Sequence, residues 1–215
     1  MKRRLPIGIQ DFTSIREDGF CYVDKTAGVY RLISGSGRAF FLSRPRRFGK
    51  SLLCSTLRAV FEGRRDLFKE IAGNPSLAID SLDWEWKEYP VIKMDLNPGN
   101  YLNGTAVLYS NINRELEFCA GKYGVPFTGD SIGDKFIRLI ANLNEKYNQR
   151  VVVIIDEYDK PLLSTMEDMD LHITMRNELK GFYGILKSSD KYLQFVFLTG
   201  VTKFSHVSVF SDLNH

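Results

Sequence analysis

The chain has 215 residues, 44% of them hydrophobic and 26% charged, with a formal net charge of +3. These values fit a soluble globular protein of one ordinary domain, or one domain with a small appendage; they exclude a disordered chain and argue against a strongly basic nucleic-acid binder. Cys21, Cys54 and Cys119 are odd in number, far apart, and show no metal-ligand spacing with His172, His206 or His215, so they read as reduced structural thiols.

In chain order, MKRRLPIGIQDF has a basic head with no apolar stretch behind it, and no run approaches the length of a membrane span. A cytoplasmic protein with no membrane partner is expected. In GFCYVDKT, residues 21–23 have strand character. Asp24 to Thr26 is placed to cap a helix carrying Val29, Tyr30, Leu32 and Ile33 at helical spacing, and SGSG at 34–37 ends it. AFFLS predicts a short buried strand, and the Arg/Gly-rich loop RPRRFGKS follows it. Residues 51–62 then place Leu52, Leu53, Thr56, Leu57, Val60 and Phe61 on one helical face, which Gly63 terminates.

The connection DSLDWEWKEYP is polar and rich in aromatics, and its Trp84, Trp86 and Tyr89 are expected to fold back onto the core rather than form a partner patch. VIKMDL reads as a strand broken by NPGN. Helical patterns occupy residues 105–121 and 132–147. VVVIIDEYDKP gives five β-branched residues, then acids, and Pro161 prevents the run from continuing. Residues 171–187 read as a helix, and YLQFVFLTGVTKF as a buried strand ending at Thr199 and Gly200. Continuous apolar strands alternating with helices predict a mostly parallel sheet covered on both faces. The expected organisation is an N-terminal extension, residues 1–37, packed on a core of residues 38–215 that stops short of further C-terminal elements.

The chemistry concentrates at three strand ends. Gly49-Lys50-Ser51 sits where strand turns to helix, a position with free N–H groups and the positive end of a helix dipole. Gly49 lets the backbone approach a phosphate, Lys50 reaches the β- and γ-phosphates, and the Ser51 hydroxyl is placed to ligate Mg²⁺. Pro45, Arg46, Arg47, Phe48, Gly49, Lys50, Ser51 and Leu52 form the expected phosphate cradle. The usual first glycine of such a loop is replaced by Arg44, which adopts a positive φ only at a cost, and Pro45 offers no N–H donor. The loop must therefore close by another backbone path, with Arg46 and Arg47 offering charge-assisted contacts to phosphate or to carboxylates.

The second strand end is Asp156-Glu157, at the edge of a parallel sheet where ligands bind. Asp156 is expected to hold Mg²⁺ opposite Ser51, and Glu157 to orient and polarise water. The third is Thr199, a polar residue placed to sense the γ-phosphate. Each signal is weak alone, since acids often mark a strand end and a threonine often caps one; the combination in this order is specific. No NKxD segment is present and no DxxG follows the magnesium strand, which favours ATP over GTP.

LPIGIQDF, YVDKT, RPRRFGKSL, VVVIIDEYDKPL, GFYGILK and FLTGVTKFS together resemble the AAA-ATPase-like family of gut and anaerobic bacteria, a branch of the additional-strand (ASCE) P-loop ATPases close to the archaeal-type and STAND-like ATPases. The resemblance runs over nearly the whole chain, and in that family RPRRFGKS is the normal loop. It implies an α/β, three-layer P-loop NTPase core with Walker A at residues 45–51, Walker B at Asp156 and Glu157, and a sensor at Thr199. It also implies a C-terminal PD-(D/E)XK nuclease-like domain in full-length members. Glu85-Trp86-Lys87 has an ExK shape but lacks a partner strand.

The leading expectation is an ATP-binding, Mg²⁺-dependent ATPase domain that couples nucleotide state to a partner, an appended nuclease-like domain or a second copy of itself. Arg176 is a candidate for reaching a neighbouring subunit. Three alternatives stand beside it: a nucleotide-gated switch without turnover, a small-molecule kinase, and a nucleic-acid-binding module using Lys2, Arg3, Arg4, Arg44, Arg46 and Arg47. The adjacent acids suit water activation better than kinase chemistry, and no arginine-rich lid is visible.

Overall fold

The computed structural model describes residues 4–202. Four parallel strands form one sheet: β1 (Ala39–Ser43), β2 (Val91–Asp95), β3 (Val151–Asp156) and β4 (Leu193–Gly200), in the order β1-β4-β3-β2. β4, the last strand among the described residues, lies between β1 and β3. Leu42 therefore stands beside Thr199, and Asp95 beside Asp156.

Every residue of β3 is buried, which is why VVVIID carries no polar alternation. Val151, Val153 and Ile155 face one core and Val152 and Ile154 the other. The first core is closed by α4 (Thr105–Tyr123), α5 (Ile132–Tyr147) and α7 (Met169–Ser188), with α6 (Lys160–Ser164) at its edge. The second is closed by α3 (Lys50–Phe61) together with Phe12 of α1 (Phe12–Glu17) and Val29 of α2 (Thr26–Ile33). Each large apolar side chain so buried contributes about 1.5–3 kcal/mol.

The expected helix at 132–147 and the strand at AFFLS have the bounds foreseen, and α3, α4 and α7 differ by one or two residues at their ends. Trp84, Trp86 and Tyr89 do fold back: Trp84 and Tyr89 meet Phe61 edge-on, at 6.0 and 5.9 Å between ring centres, and Trp86 lies 4.9 Å from Phe68.

One local reading is corrected and two local features are added. Residues 21–23 form no strand; Phe20 makes a single bridge to Arg4. Pro161 does not merely stop a strand but opens α6, in the first turn, where its missing N–H has no helical partner to lose. Phe12–Glu17 is a helix, capped by Asp11, whose carboxylate accepts from Ser14 N–H.

α1 is held by tertiary contacts rather than by its own periodicity. Arg16 is 1% exposed, and its guanidinium donates to three carbonyls: Leu67 at 2.7 Å, Lys69 at 2.7 Å and Pro75 at 3.0 Å. One side chain thus shapes the connection after α3. Arg16→Met, which leaves those carbonyls without their donor, is expected to lower the unfolding free energy by about 3–5 kcal/mol. Arg16→Lys recovers only part of it, since a point charge cannot reproduce the planar fork. Urea denaturation checks this; a loss below about 1 kcal/mol for the methionine variant contradicts the role.

Candidate functional site

β1 runs into an exposed loop, residues 44–49, and then into α3. The loop turns twice through the left-handed region, at Arg47 (φ 67°) and at Gly49 (φ 76°). The strain foreseen at Arg44 thus falls three residues later, on a non-glycine residue, which costs about 1–3 kcal/mol. Gly49 is the residue before α3 and brings no side-chain cap, so the first N–H groups of this 12-residue helix have no capping side chain among the described residues. Arg46, Arg47 and Phe48 are exposed, and Arg46 and Arg47 pair with no carboxylate among the described residues, so the foreseen contacts to carboxylates are not made. Pro45 is also exposed; Ser51 and Leu52 are half-buried in the first turn of α3.

Lys50 is buried and points across the sheet edge. Its Nζ lies 3.1 Å from Glu157 Oε1 and 3.4 Å from the Pro45 carbonyl oxygen. Glu157 leaves β3 through the left-handed region (φ 53°), a backbone state that persists only where surroundings fix it. Its N–H donates to Asp156 Oδ1 at 3.1 Å and toward Thr199 Oγ1 at 3.4 Å. The Thr199 hydroxyl donates to Asp156 Oδ1, and Cys54 Sγ lies 3.9 Å from the same hydroxyl. Lys50, Asp156, Glu157 and Thr199, far apart in sequence, are one connected group because β4 is inserted beside β3.

One residue at this edge escaped the sequence reading. Asp95 ends β2 as Asp156 ends β3, and the two stand opposite each other in register. Burial, with the Asp156 charge nearby, pushes the Asp95 carboxyl above its ordinary range despite a bond from Asn97 N–H at 2.8 Å. The signal was present in part: VIKMD ends in an acid as VVVIID does, although Lys93 interrupts its apolar run. Cys54 is fully buried, and its thiol is pushed up by burial first and by Asp156 second, so it is an inert packing group. Cys119, buried too, is pushed up to about 12.

On the α3 face, Ser55, one turn beyond Ser51, accepts from Phe12 N–H at 2.7 Å and donates to Asp11 Oδ1 at 3.0 Å. The N-terminal segment is thereby fastened to the helix that follows the loop. A cavity of about 1020 Å³ lies elsewhere, between α4, α5 and α7, and shares no residue with this group. Among the described residues no helix is long and apolar enough to cross a membrane, and no three His, Cys, Asp or Glu side chains are grouped to hold a metal by themselves.

The class is that of α/β proteins built on an all-parallel sheet, with their polar groups gathered at the carboxyl edge. The chain belongs to the family described as predicted AAA-ATPase (AAA-ATPase_like), whose model matches residues 6–210, as the sequence resemblance implied. It is 38% identical over 215 residues to an "Uncharacterized protein in vnfD 5'region" of Azotobacter chroococcum mcd 1. All of this chain is covered, and 40% of that relative. No solved structure matches.

Proposed function

We propose that the chain is an ATP-binding domain of the additional-strand P-loop type that hydrolyses ATP with Mg²⁺. The observation that carries the reading is the 3.1 Å ion pair between Lys50, at the start of α3, and Glu157, beside Asp156 and Thr199. Four residues assigned separate tasks on sequence grounds meet at one sheet edge, next to an uncapped helix N-terminus. The family, described as predicted AAA-ATPase, points the same way.

In this reading the loop amides and Lys50 hold the β- and γ-phosphates, with Arg46 and Arg47 free to add contacts from the exposed rim. The donor set fits Mg²⁺: a hydroxyl (Ser51) and one carboxylate (Asp156), hard oxygens that leave room for phosphate and water. When bound, the metal neutralises phosphate charge during transfer. Phosphate competes with Glu157 for Lys50. Glu157, released from the ion pair, then accepts a proton from the attacking water while the bond to the leaving ADP breaks. Thr199, bonded to Asp156, stands where the γ-phosphate would be sensed.

The remaining expectations follow from this core. Residues 1–37 act as an extension fastened through Asp11 and Ser55, and nucleotide state is passed to a partner, an appended nuclease-like domain or a second copy. Saturable binding of a fluorescent ATP analogue with Mg²⁺, together with phosphate release from ATP, tests the proposal. A folded chain that does neither contradicts it; binding without release leaves the nucleotide-gated switch.

A further inference from the structure

The turn after β3 continues past Glu157 into Tyr158 and Asp159, and the reading above uses neither. Asp159 is fully buried. Its Oδ2 accepts three bonds from the segment leaving β4: Val201 N–H at 2.8 Å, Thr202 N–H at 2.8 Å and Thr202 Oγ1 at 3.0 Å. Its Oδ1 is buried with no hydrogen-bond partner among the described residues. Burying a carboxylate oxygen without a donor is costly, so this side chain is poorly explained as a stabilising group alone.

The neighbouring contacts make the same connection. Tyr158 N–H donates to the Thr199 carbonyl at 2.8 Å, and Tyr158 OH to the Thr202 carbonyl at 3.0 Å. Between them Gly200 has no room for a side chain: a Cβ there would stand 2.5 Å from the Tyr158 ring and 2.7 Å from Asp159 Oδ1. From the other side, Arg44 N–H donates to the Gly200 carbonyl at 3.1 Å, and Ser43 Oγ to the Val201 carbonyl at 3.0 Å. Residues 199–202 are thus gripped between the start of the phosphate loop and the Glu157 turn. Glu157 itself is in a left-handed conformation that needs outside support.

We propose that Asp159 is a positioning residue for the ATPase reaction. It clamps the segment leaving β4 to the Glu157 turn, so that Thr199 and Glu157 keep one geometry and a shift of residues 201–202 is passed to Glu157. The inference rests on the ATPase reading. Asp159 bonds to the chain around Thr199 and touches no reacting group.

The test measures ATP turnover, affinity for a fluorescent ATP analogue and thermal melting in parallel, on wild type, Asp159→Ala, Asp159→Asn and Gly200→Ala. Asp159→Ala is expected to lower kcat by about tenfold or more while KM and analogue affinity stay within about threefold, because sub-ångström misplacement acts on the chemical step. Asp159→Asn, which keeps an oxygen for the three donors, recovers most of kcat. Gly200→Ala wedges the same contact apart without altering the carboxylate and reproduces the loss; it carries the test alone if Asp159→Ala does not fold. Unchanged kcat in folded Asp159→Ala or Gly200→Ala overturns the proposal. So does a parallel fall of affinity, kcat and melting temperature with no rescue by asparagine, which marks a purely structural role. A wild type that binds no ATP, or binds without turnover, overturns the ATPase reading itself and this inference with it.

Discussion

Lys50→Ala is expected to weaken binding of ATP by at least about 100-fold, or about 3 kcal/mol, while the protein stays folded. The ammonium is the one cation seen inside the group of Asp156, Glu157 and Thr199 among the described residues, and it is held there, 3.1 Å from Glu157. Removing it takes away a charge-assisted contact to phosphate and leaves Glu157 facing the incoming anion with its charge uncompensated. Glu157 keeps 17% of its side chain exposed, so water can solvate it and the cost to folding is small beside the cost to binding. Analogue titration on both proteins checks this, with melting curves to show that each is folded. Equal affinity in the two would mean that the loop is not a phosphate site.

Glu157→Gln separates the enzyme from the switch. Turnover is expected to fall by at least about 100-fold, the ordinary contribution of a positioned base. Affinity is expected to hold or rise by a few fold, because glutamine forms no ion pair with Lys50 and phosphate no longer competes for it. Phosphate release and analogue titration are the measurements. A variant that hydrolyses ATP as fast as wild type removes Glu157 from the chemistry, and one that loses affinity along with turnover shows the carboxylate to be holding the loop in shape.

Both predictions depend on placements the sequence suggested residue by residue but did not connect. RPRRFGKS and VVVIIDE each announce a strand end with polar groups. They do not say that Lys50 reaches Glu157, or that the threonine of FLTG bonds the aspartate of VVVIIDE. Those contacts follow from strand order, with β4 lying between β1 and β3 although it follows both in sequence. Strand order is fixed by which apolar faces fit together across the sheet, a sum over residues distant in sequence. Arg47 makes the same point on a smaller scale. The departure at Arg44 is visible in the letters, yet the left-handed turn that resolves it sits at Arg47, where loop closure between β1 and α3 requires it.

By itself the sequence determined the elements whose burial is dictated locally. VVVII is apolar at every position and lies inside on both faces; residues 132–147 carry Phe136, Leu139, Ile140 and Leu143 at helical spacing and form the helix foreseen. It also determined the family, through motifs spread along nearly the whole chain. Only the tertiary structure decided the short pieces and the meeting of charges. Six residues, Phe12–Glu17, are too few to stand as a helix alone and form one because Arg16 and Ser55 hold them in place. Asp95 and Asp159 look like ordinary strand-end and turn acids until the fold sets one beside Asp156 and fastens the other to the segment after Thr199. Local pattern reports which residues leave water, whereas their neighbours inside are settled only when the whole sheet and its helices close at once.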